Sequence, residues 1–290
     1  MPEARFVAVD ARKALLASRA ARKLTAARLA PLLPRLAALL LAPALVLPSA
    51  AGSRGASRDL LPDLVTRSPA KIFLQVGKRG KRVVRFSNEV VNVGIGTLEL
   101  RPRVGDCNRN GNPRDDRTSY QRIYRDANGD GAFARGVDVR FRTRSAGCTR
   151  FHPAHKHWHF EALAEYSLHP FQADGSPGPL VIVGKKLSSC VLDTKRRLPK
   201  APGSPRRKYY GSCRRDSIGG ISIGWGDIYG ARVSGQELDV TGLGDGVYCL
   251  VSQADPEDQL LESNERNNAR TTRIVLRAEA LDWQPHRGCS

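Results

Sequence analysis

Short segments in which apolar and polar residues alternate, each bounded by glycine or proline, constrain the fold of this chain most. The clearest is R-V-V-R-F-S-N-E-V-V-N-V-G at 82–94, and similar segments lie at 72–76, 98–101, 247–253 and 270–276. This alternation is typical of strands, because successive side chains point to opposite faces. Only 6% of the residues are aromatic, whereas there are 27 glycines and 18 prolines, which favours many turns over a helix bundle. The sequence therefore predicts a mostly β fold, an antiparallel β-sandwich of two sheets with long decorated loops.

Four of the six histidines lie in one window, F-H-P-A-H-K-H-W-H-F at 151–160. Neutral imidazole is the commonest side-chain ligand of divalent transition metals. On a strand, His155, His157 and His159 share one face. On a helix, His152, His155 and His159 share one face instead. Both arrangements gather three imidazoles, so the window predicts a metal site; a polar loop that happens to be rich in histidine is the alternative.

Two loops between residues 105 and 140 match the opening D-x-N-x-[DN]-G of a calcium loop. Their candidate ligands are Asp106, Asn108 and Asn110 in D-C-N-R-N-G, and Asp126, Asn128 and Asp130 in D-A-N-G-D-G. Neither loop has glutamate at its twelfth position, where Arg117 and Val137 stand. Asp115, Asp116 or Asp138 would have to complete the shell. Turns rich in aspartate and asparagine but without metal are the alternative.

The charge of the chain is strongly positive, +19 at pH 7. Such a field attracts polyanions and repels cations. The segment from Lys195 to Arg215 contains nine basic residues and no acidic one. This segment predicts either a solvated loop, which we favour, or a surface for an anionic cell-surface polymer, with Tyr209 and Tyr210 as its stacking surfaces. We expect no specific nucleic acid partner.

The N-terminal residues 1–51 have the pattern of a signal segment for export. Basic residues precede an apolar run at 36–46, and small residues suited to cleavage follow near Ala50 and Ala51. A membrane anchor is the alternative, but the run is short and contains Pro43. We therefore expect a leader at 1–51, a flexible linker at 52–59 and one domain at 60–290, secreted or in the cell envelope.

The cysteines agree with export. There are six of them, an even number without a C-x-x-C motif, which indicates disulfides in an oxidising compartment. Spacing alone leaves about fifteen pairings open.

Three separated stretches resemble the lysyl oxidase family. H-P-A-H-K-H-W-H-F resembles the family's copper-binding strand, and G-K-K-L-S-S-C-V-L-D-T at 184–194 resembles its cofactor-lysine segment. G-W-G-D-I-Y-G-A at 224–231 is similar to its cofactor-tyrosine segment. The three stretches follow one another in the family's order, and the resemblance covers roughly residues 60 to 280, as in a microbial-type single catalytic domain.

The resemblance implies a copper site. Its ligands would be His155, His157 and His159, with His152 either a weaker ligand or a group that orients the other imidazoles.

The resemblance also implies a lysine tyrosylquinone cofactor, cross-linked from Lys186 and Tyr229. Lys186 is preferred over Lys185 because it stands four residues before Cys190. Asp227 is a candidate for the proton-abstracting base, although a carboxylate that orients the turn is the more ordinary role. The implied activity is a copper-dependent amine oxidase that uses molecular oxygen to convert a primary amine, peptidyl lysine or a small amine, into an aldehyde, hydrogen peroxide and ammonia.

The chain departs from the animal enzymes in its cysteines, and Ala154 stands where those enzymes have a cysteine, so their pairing cannot be transferred. The order along the chain suggests Cys107–Cys148, Cys190–Cys213 and Cys249–Cys289. A non-catalytic copper-binding envelope protein and a polyanion-binding module are the alternative functions. The presence of both Lys186 and Tyr229 favours the enzyme.

Overall fold

The computed structural model describes residues 58–112, 114–153, 156–184, 187–214 and 218–290, with Leu187 described in its backbone alone. The predicted leader and nearly all of the predicted linker lie outside the described residues, as do His155, Lys185 and Lys186. Everything described belongs to one compact unit, Ser53–Ser290. Within this described part, no helix is long and apolar enough to span a membrane.

Strands account for nearly all of the regular structure of the described residues, and their helical structure is limited to a 3₁₀ turn at Lys78–Gly80. The strands are, in chain order, β1 (Asp59–Leu60), β2 (Leu64–Thr66), β3 (Ala70–Val76), β4 (Arg82–Asn92), β5 (Leu98–Val104), β6 (Asp116–Arg125), β7 (Phe141–His152), β8 (His157–Pro170), β9 (Ile182–Val183), β10 (Leu187–Ser189), β11 (Lys195–Arg196), β12 (Gly219–Ile221), β13 (Trp225–Tyr229), β14 (Glu237–Asp239), β15 (Gly246–Ala254), β16 (Ala269–Leu276) and β17 (Leu281–Trp283).

These strands form two antiparallel sheets. The larger has the order β12-β5-β6-β7-β8-β15-β16-β17, with β1 paired to β6 and both β9 and β10 paired to β8. The smaller has the order β11-β13-β4-β14, with β2 and β3 also paired to β4. The predicted mostly β fold with two antiparallel sheets is therefore confirmed.

One apolar core lies between the sheets. Val84, Phe86 and Val90 of β4 are fully buried, as their alternation predicts. They belong to the same core cluster as Tyr166 of β8 and side chains of β15 and β16. Phe86 meets Tyr166 edge to face, with ring centroids 4.7 Å apart, a geometry that aromatic pairs prefer. This contact joins the two sheets near the middle of β4.

The turn after β4 depends on Asn92 and Gly96. The Asn92 side-chain amide donates to the carbonyls of Gly96 and Ile221, and its oxygen accepts from Gly94 N–H. A Cβ on Gly96 would lie 2.1 Å from the carbonyl oxygen of Leu60, so only glycine fits there. This close approach fixes where β5 begins.

Between the two calcium-like loops lies β6, a strand that the sequence analysis did not identify. This strand has few apolar positions, and its buried residues include Asp116, Ser119 and Gln121. Their partners are distant in sequence: Ser119 bonds to the Thr149 hydroxyl at 2.5 Å, and Gln121 donates to the carbonyl of Leu261 at 2.9 Å. Because polar residues fill buried positions, the apolar alternation that identifies strands is missing here.

The three suggested disulfides are all confirmed. Cys107–Cys148, Cys190–Cys213 and Cys249–Cys289 are bonded, with Cα separations of 5.7, 5.6 and 6.1 Å. The second bond begins one residue after β10. It therefore anchors the stretch that follows the candidate cofactor lysine.

Candidate active site

The histidines gather at one end of the β7–β8 hairpin. His152 ends β7 and pairs directly with His157, which begins β8. The His159 ring stacks on the His152 ring with centroids 4.8 Å apart, and lies 4.7 Å from the His157 ring. His159 is buried and the other two are half-buried. The helical reading of this window is wrong, because these residues lie in strands.

An ion pair continues the same face of the hairpin. Arg150 of β7 lies opposite His159, and its guanidinium contacts the Glu161 carboxylate at 2.8 Å. Since residues two apart in a strand share a face, Glu161 lies on the histidine side. Burial raises the pKa of Glu161, while the charge of Arg150 opposes that rise. The pair links β7 to β8 beside the imidazoles.

A buried tyrosine–aspartate pair lies on β13. The Tyr229 hydroxyl donates a hydrogen bond to Asp227 Oδ2, and the same oxygen accepts from Leu192 N–H at 3.0 Å. Tyr229 is only 5% exposed and Asp227 only 2%. The structure therefore brings together two residues predicted for the site and joins them to the segment that follows β10.

Burial changes the acidity of both groups. It raises the pKa of Asp227 from 3.8 to about 7, assisted by the charges of Asp193 and Glu89 and opposed by the hydrogen bonds from Tyr229 and Leu192. Burial also raises the pKa of Tyr229 well above its ordinary value, and the Asp227 charge raises it further. A hydrogen bond with the Ser189 side chain acts in the opposite direction. Near neutral pH, Asp227 therefore exchanges a proton while Tyr229 keeps its own.

The Tyr229–Asp227 pair and the histidine cluster lie on opposite faces of the same part of β8. Ser189, which bonds to Tyr229, lies opposite Phe160 in the β10–β8 pairing. Phe160 and Tyr229 both belong to the core between the sheets. Because consecutive strand residues point to opposite faces, His159 points away from that core. The described residues that were predicted for the copper site and for the quinone cofactor thus adjoin one strand, β8.

Sequence reasoning missed further polar groups near Tyr229. Gln236 donates to the Tyr166 hydroxyl at 2.7 Å, and Asn88 lies opposite Tyr229 in the β13–β4 pairing. Asn88 is 3% exposed and stands at an inward position between Phe86 and Val90. A polar residue at an inward position of an apolar alternation could have marked Asn88 as a candidate site residue from the sequence. No local pattern marks Tyr166 or Gln236.

The second calcium-like loop is closed by its own backbone. Asp126 accepts from the N–H groups of Gly129 and Gly131 at 2.7 and 3.0 Å. Asp138, one of the residues expected to complete the shell, accepts from Ala127 and Ala134 N–H, both at 2.7 Å. The loop therefore brings the two carboxylates to the same short segment, each accepting from nearby backbone amides.

The first loop is closed in a similar way. Asp106 accepts from Asn110 and Gly111 N–H, at 3.0 and 2.8 Å. Asp116 accepts from Asn108 N–H at 2.7 Å, and the Asn110 amide donates to Asp115 at 2.9 Å. Both residues expected to complete this shell thus adjoin it.

The basic segment 195–215 is only partly a loop. Lys195 and Arg196 form β11, and Arg197 makes two bonds of 2.5 Å to the Glu89 carboxylate. Tyr210 was wrongly predicted as a stacking surface: it is 1% exposed and donates to Glu99. Tyr209 is 46% exposed, with the Arg135 guanidinium 3.3 Å from its ring centre.

Fold and site together describe an antiparallel β-sandwich with an imidazole cluster on one face of a strand and a buried tyrosine–aspartate pair beyond the other. The sequence model of the lysyl oxidase family matches residues 137–284. This range includes every described member of both groups. The chain belongs to the lysyl oxidase family.

Curated relatives are similar over part of the chain. Lysyl oxidase homolog 4 of Mus musculus and its counterpart in Homo sapiens are each 29% identical to it over 119 residues. The aligned part is 41% of this chain and 14% of theirs. The chain thus spans about a seventh of the length of these relatives.

The raised pKa of Asp227 predicts a pH-dependent stability. Folded Asp227 holds a proton up to about pH 7, whereas the unfolded carboxyl releases it near pH 4, so stability falls as the pH rises through this window, by at most about 1.4 kcal/mol per pH unit. We expect Asp227→Asn to flatten the decline in melting temperature between pH 5 and 7, measured on metal-free protein. Asp239→Asn, at an exposed position, should follow the parent. Equal slopes for Asp227→Asn and the parent would contradict this.

Proposed function

We propose that this chain is an exported, copper-dependent amine oxidase that deaminates primary amines, on peptidyl lysine or on small molecules. The overall reaction converts the amine, O₂ and water into the aldehyde, ammonia and H₂O₂. Membership of the lysyl oxidase family supports this activity. The single observation that carries it is the buried Tyr229–Asp227 pair bonded beside the histidine-bearing strand. The three disulfides support export to an oxidising compartment.

The donor set of the hairpin fits copper. Imidazole nitrogen suits copper among the divalent metals. The ring centroid of His159 lies 4.8 Å from that of His152 and 4.7 Å from that of His157. We propose His155, His157 and His159 as ligands. His152, stacked on His159, is a further ligand or holds that ring in orientation.

The cofactor proposed from Lys186 and Tyr229 would supply an electrophilic carbonyl and an acceptor for two electrons. The chain's own residues control the protons around it. We propose that Asp227, whose Oδ2 accepts a hydrogen bond from the Tyr229 hydroxyl, would take a proton at the reacting group. Its pKa of about 7 suits a base that works near neutral pH. Burial around Tyr229 excludes water and favours the neutral, nucleophilic form of an incoming amine.

Calcium is the other cofactor that we propose, bound by the two loops. Asp106, Asn108 and Asn110 would bind in the first loop, and Asp126, Asn128 and Asp130 in the second. Support comes from the oxygen-rich side chains and from the acidic groups that adjoin each loop, such as Asp138. A non-catalytic copper protein remains the second candidate function, favoured by the histidine cluster alone.

Copper content tests the metal site. We expect His157→Ala combined with His159→Ala to reduce bound copper from about one per chain to near zero, because imidazole donors are lost. Metal analysis after dialysis measures this. His286→Ala, which removes an exposed histidine, should leave the copper content unchanged. Retention of copper by the double variant would exclude this site.

Substitution of the tyrosine tests the catalytic proposal. Tyr229→Phe removes the hydroxyl needed for a quinone, so amine-dependent H₂O₂ release and the quinone absorbance should both disappear while copper stays bound. Tyr210→Phe, at an equally buried tyrosine, should keep the activity. Peroxide release by Tyr229→Phe at the parent rate would overturn the amine oxidase assignment.

Separate substitution of Lys186 and Lys185 tests which of the two lysines forms the cross-link. Lys186→Ala should abolish the absorbance and the activity, whereas Lys185→Ala should change both little. Mass spectrometry of copper-loaded parent protein should find a peptide linking positions 186 and 229. The reverse pattern would move the cofactor lysine to Lys185.

Calcium binding is tested by thermal stability. A ligand that binds only the folded state stabilises it by RT ln(1 + [L]/Kd), about 2.7 kcal/mol at a hundredfold excess over Kd. After chelation, millimolar calcium should raise the melting temperature of the parent, and less so for Asp106→Asn with Asp126→Asn. Asp174→Asn, in an exposed turn bonded to Ser176, is the control. An equal rise in all three proteins would place the calcium effect elsewhere.

A further inference from the structure

A groove of about 890 Å³ lies on the outer face of the smaller sheet, along β3, β4, β11 and β13. We call it the β13 groove, because Ile228 and Gly230 on either side of Tyr229 line it. The Tyr229 ring points the other way, into the core. The groove and the candidate active site are therefore opposite sides of one strand.

The β13 groove is cationic. Arg67, Lys71, Lys195, Arg197 and Arg232 line it, with Glu89 as the one acidic residue of the lining. Arg197 bonds to both oxygens of the Glu89 carboxylate, and Arg67 lies 3.8 Å from one of them. Lys71, Lys195 and Arg232 are exposed. A net positive potential therefore remains after the one carboxylate is neutralised.

The floor of the groove is partly apolar. Ile228 is 37% exposed, and the half-buried Phe73 also contributes to the lining. An exposed isoleucine set among cations suits a ligand that carries both acidic and apolar groups.

The local backbone gives the groove its shape. Between Ala70 and Phe73 the pairing of β3 with β4 shifts register, and Lys71 within this bulge has a φ of 51°. A lysine in the left-handed region costs of order 1 kcal/mol. Because residue 226 is glycine, the Glu89 side chain can lie across β13. A Cβ on residue 226 would be 2.3 Å from the Glu89 carboxylate oxygen. The bulge turns Lys71 onto the rim, and the glycine leaves room for the Glu89–Arg197 pair.

We propose that the β13 groove binds an acidic, partly apolar segment of a protein substrate. This rests on the proposed amine oxidase function, and it names peptidyl lysine in an acidic polypeptide as the substrate class. Without the proposed leader, residues 52–290 carry 39 Lys/Arg and 26 Asp/Glu, a net charge of +13. This charge repels a free cationic amine but attracts an acidic polypeptide that carries a lysine. The apolar floor favours a polypeptide over a polymer of uniformly charged units.

Binding away from the reacting amine has a kinetic consequence. Contacts in the groove form on binding and are kept during reaction, so they lower KM for an acidic lysine peptide and leave kcat nearly unchanged. They contribute nothing to the reaction of a small amine.

The first test measures binding alone. A fluorescent, lysine-free peptide of alternating glutamate and leucine is titrated with parent protein and with Lys71→Gln, Lys195→Gln and Arg232→Gln combined. We expect about a tenfold loss of affinity, because three exposed charge interactions disappear. The matched control removes three exposed cations of the basic segment, as Lys200→Gln, Arg206→Gln and Lys208→Gln, and should bind nearly as the parent does.

Two outcomes of this titration would overturn the assignment. An equal loss in both triple variants means that the peptide responds to total charge. Inorganic polyphosphate that binds the parent as tightly as the peptide does, and with the same loss in the groove variant, means that the groove recognises charge without the apolar groups.

The second test separates this inference from the proposed function. Peroxide release is measured with an acidic lysine peptide and with n-butylamine. The groove variant should have a KM about tenfold higher for the peptide and unchanged kinetics for the small amine. Equal kinetics for both triple variants on the peptide would overturn the substrate assignment while the oxidase stands. Binding in the first test without any peroxide release would overturn the oxidase while leaving a peptide-binding groove.

Discussion

The hydrogen bonding of β8 is the constraint on which the rest of the site depends. Its first residues pair with β7 and β10, and its later residues pair with β9 and β15. When a strand is hydrogen-bonded to neighbours along both edges, its two faces differ only in the side chains that they carry. His159 and Phe160 are adjacent in sequence yet belong to different chemical environments. One strand thereby has a polar, histidine-bearing face and a face that packs in the apolar core.

Buried carboxylates hold the inner side of this arrangement in place. Asp193, which is 3% exposed, accepts from the N–H groups of Tyr209, Tyr210 and Ser222 and from the Ser222 hydroxyl. Together with the bond from Leu192 to Asp227, these contacts fix the segment after β10 against β13. An unpaired carboxylate in such a position would be costly, whereas one with several donors is stabilising. These contacts consequently help to hold Ser189 in position for its hydrogen bond with Tyr229.

The parts of the fold that sequence reasoning found are those with local signals. The alternation around Phe86 identified β4, and the alternation of His157 and His159 indicated the strand that became β8, although not the hairpin that brings His152 beside it. The order of the cysteines gave the disulfides. The parts it missed depend on contacts between distant residues: β6 buries Ser119 and Gln121 against partners about 30 and 140 positions away, and Gln236 reaches Tyr166 across 70. Local patterns carry no information about such partners.

The disulfides have a consequence for when the fold becomes stable. They close loops with sequence separations of 41, 23 and 40 residues, and loop closure of this length stabilises a fold by about 3 to 4 kcal/mol per bond. The whole stability of an ordinary domain is about 5 to 15 kcal/mol, so the three bonds are of similar size. Before oxidation the chain would therefore be a weakly folded polypeptide. The redox state of its surroundings, more than synthesis itself, then determines when this protein is stably folded.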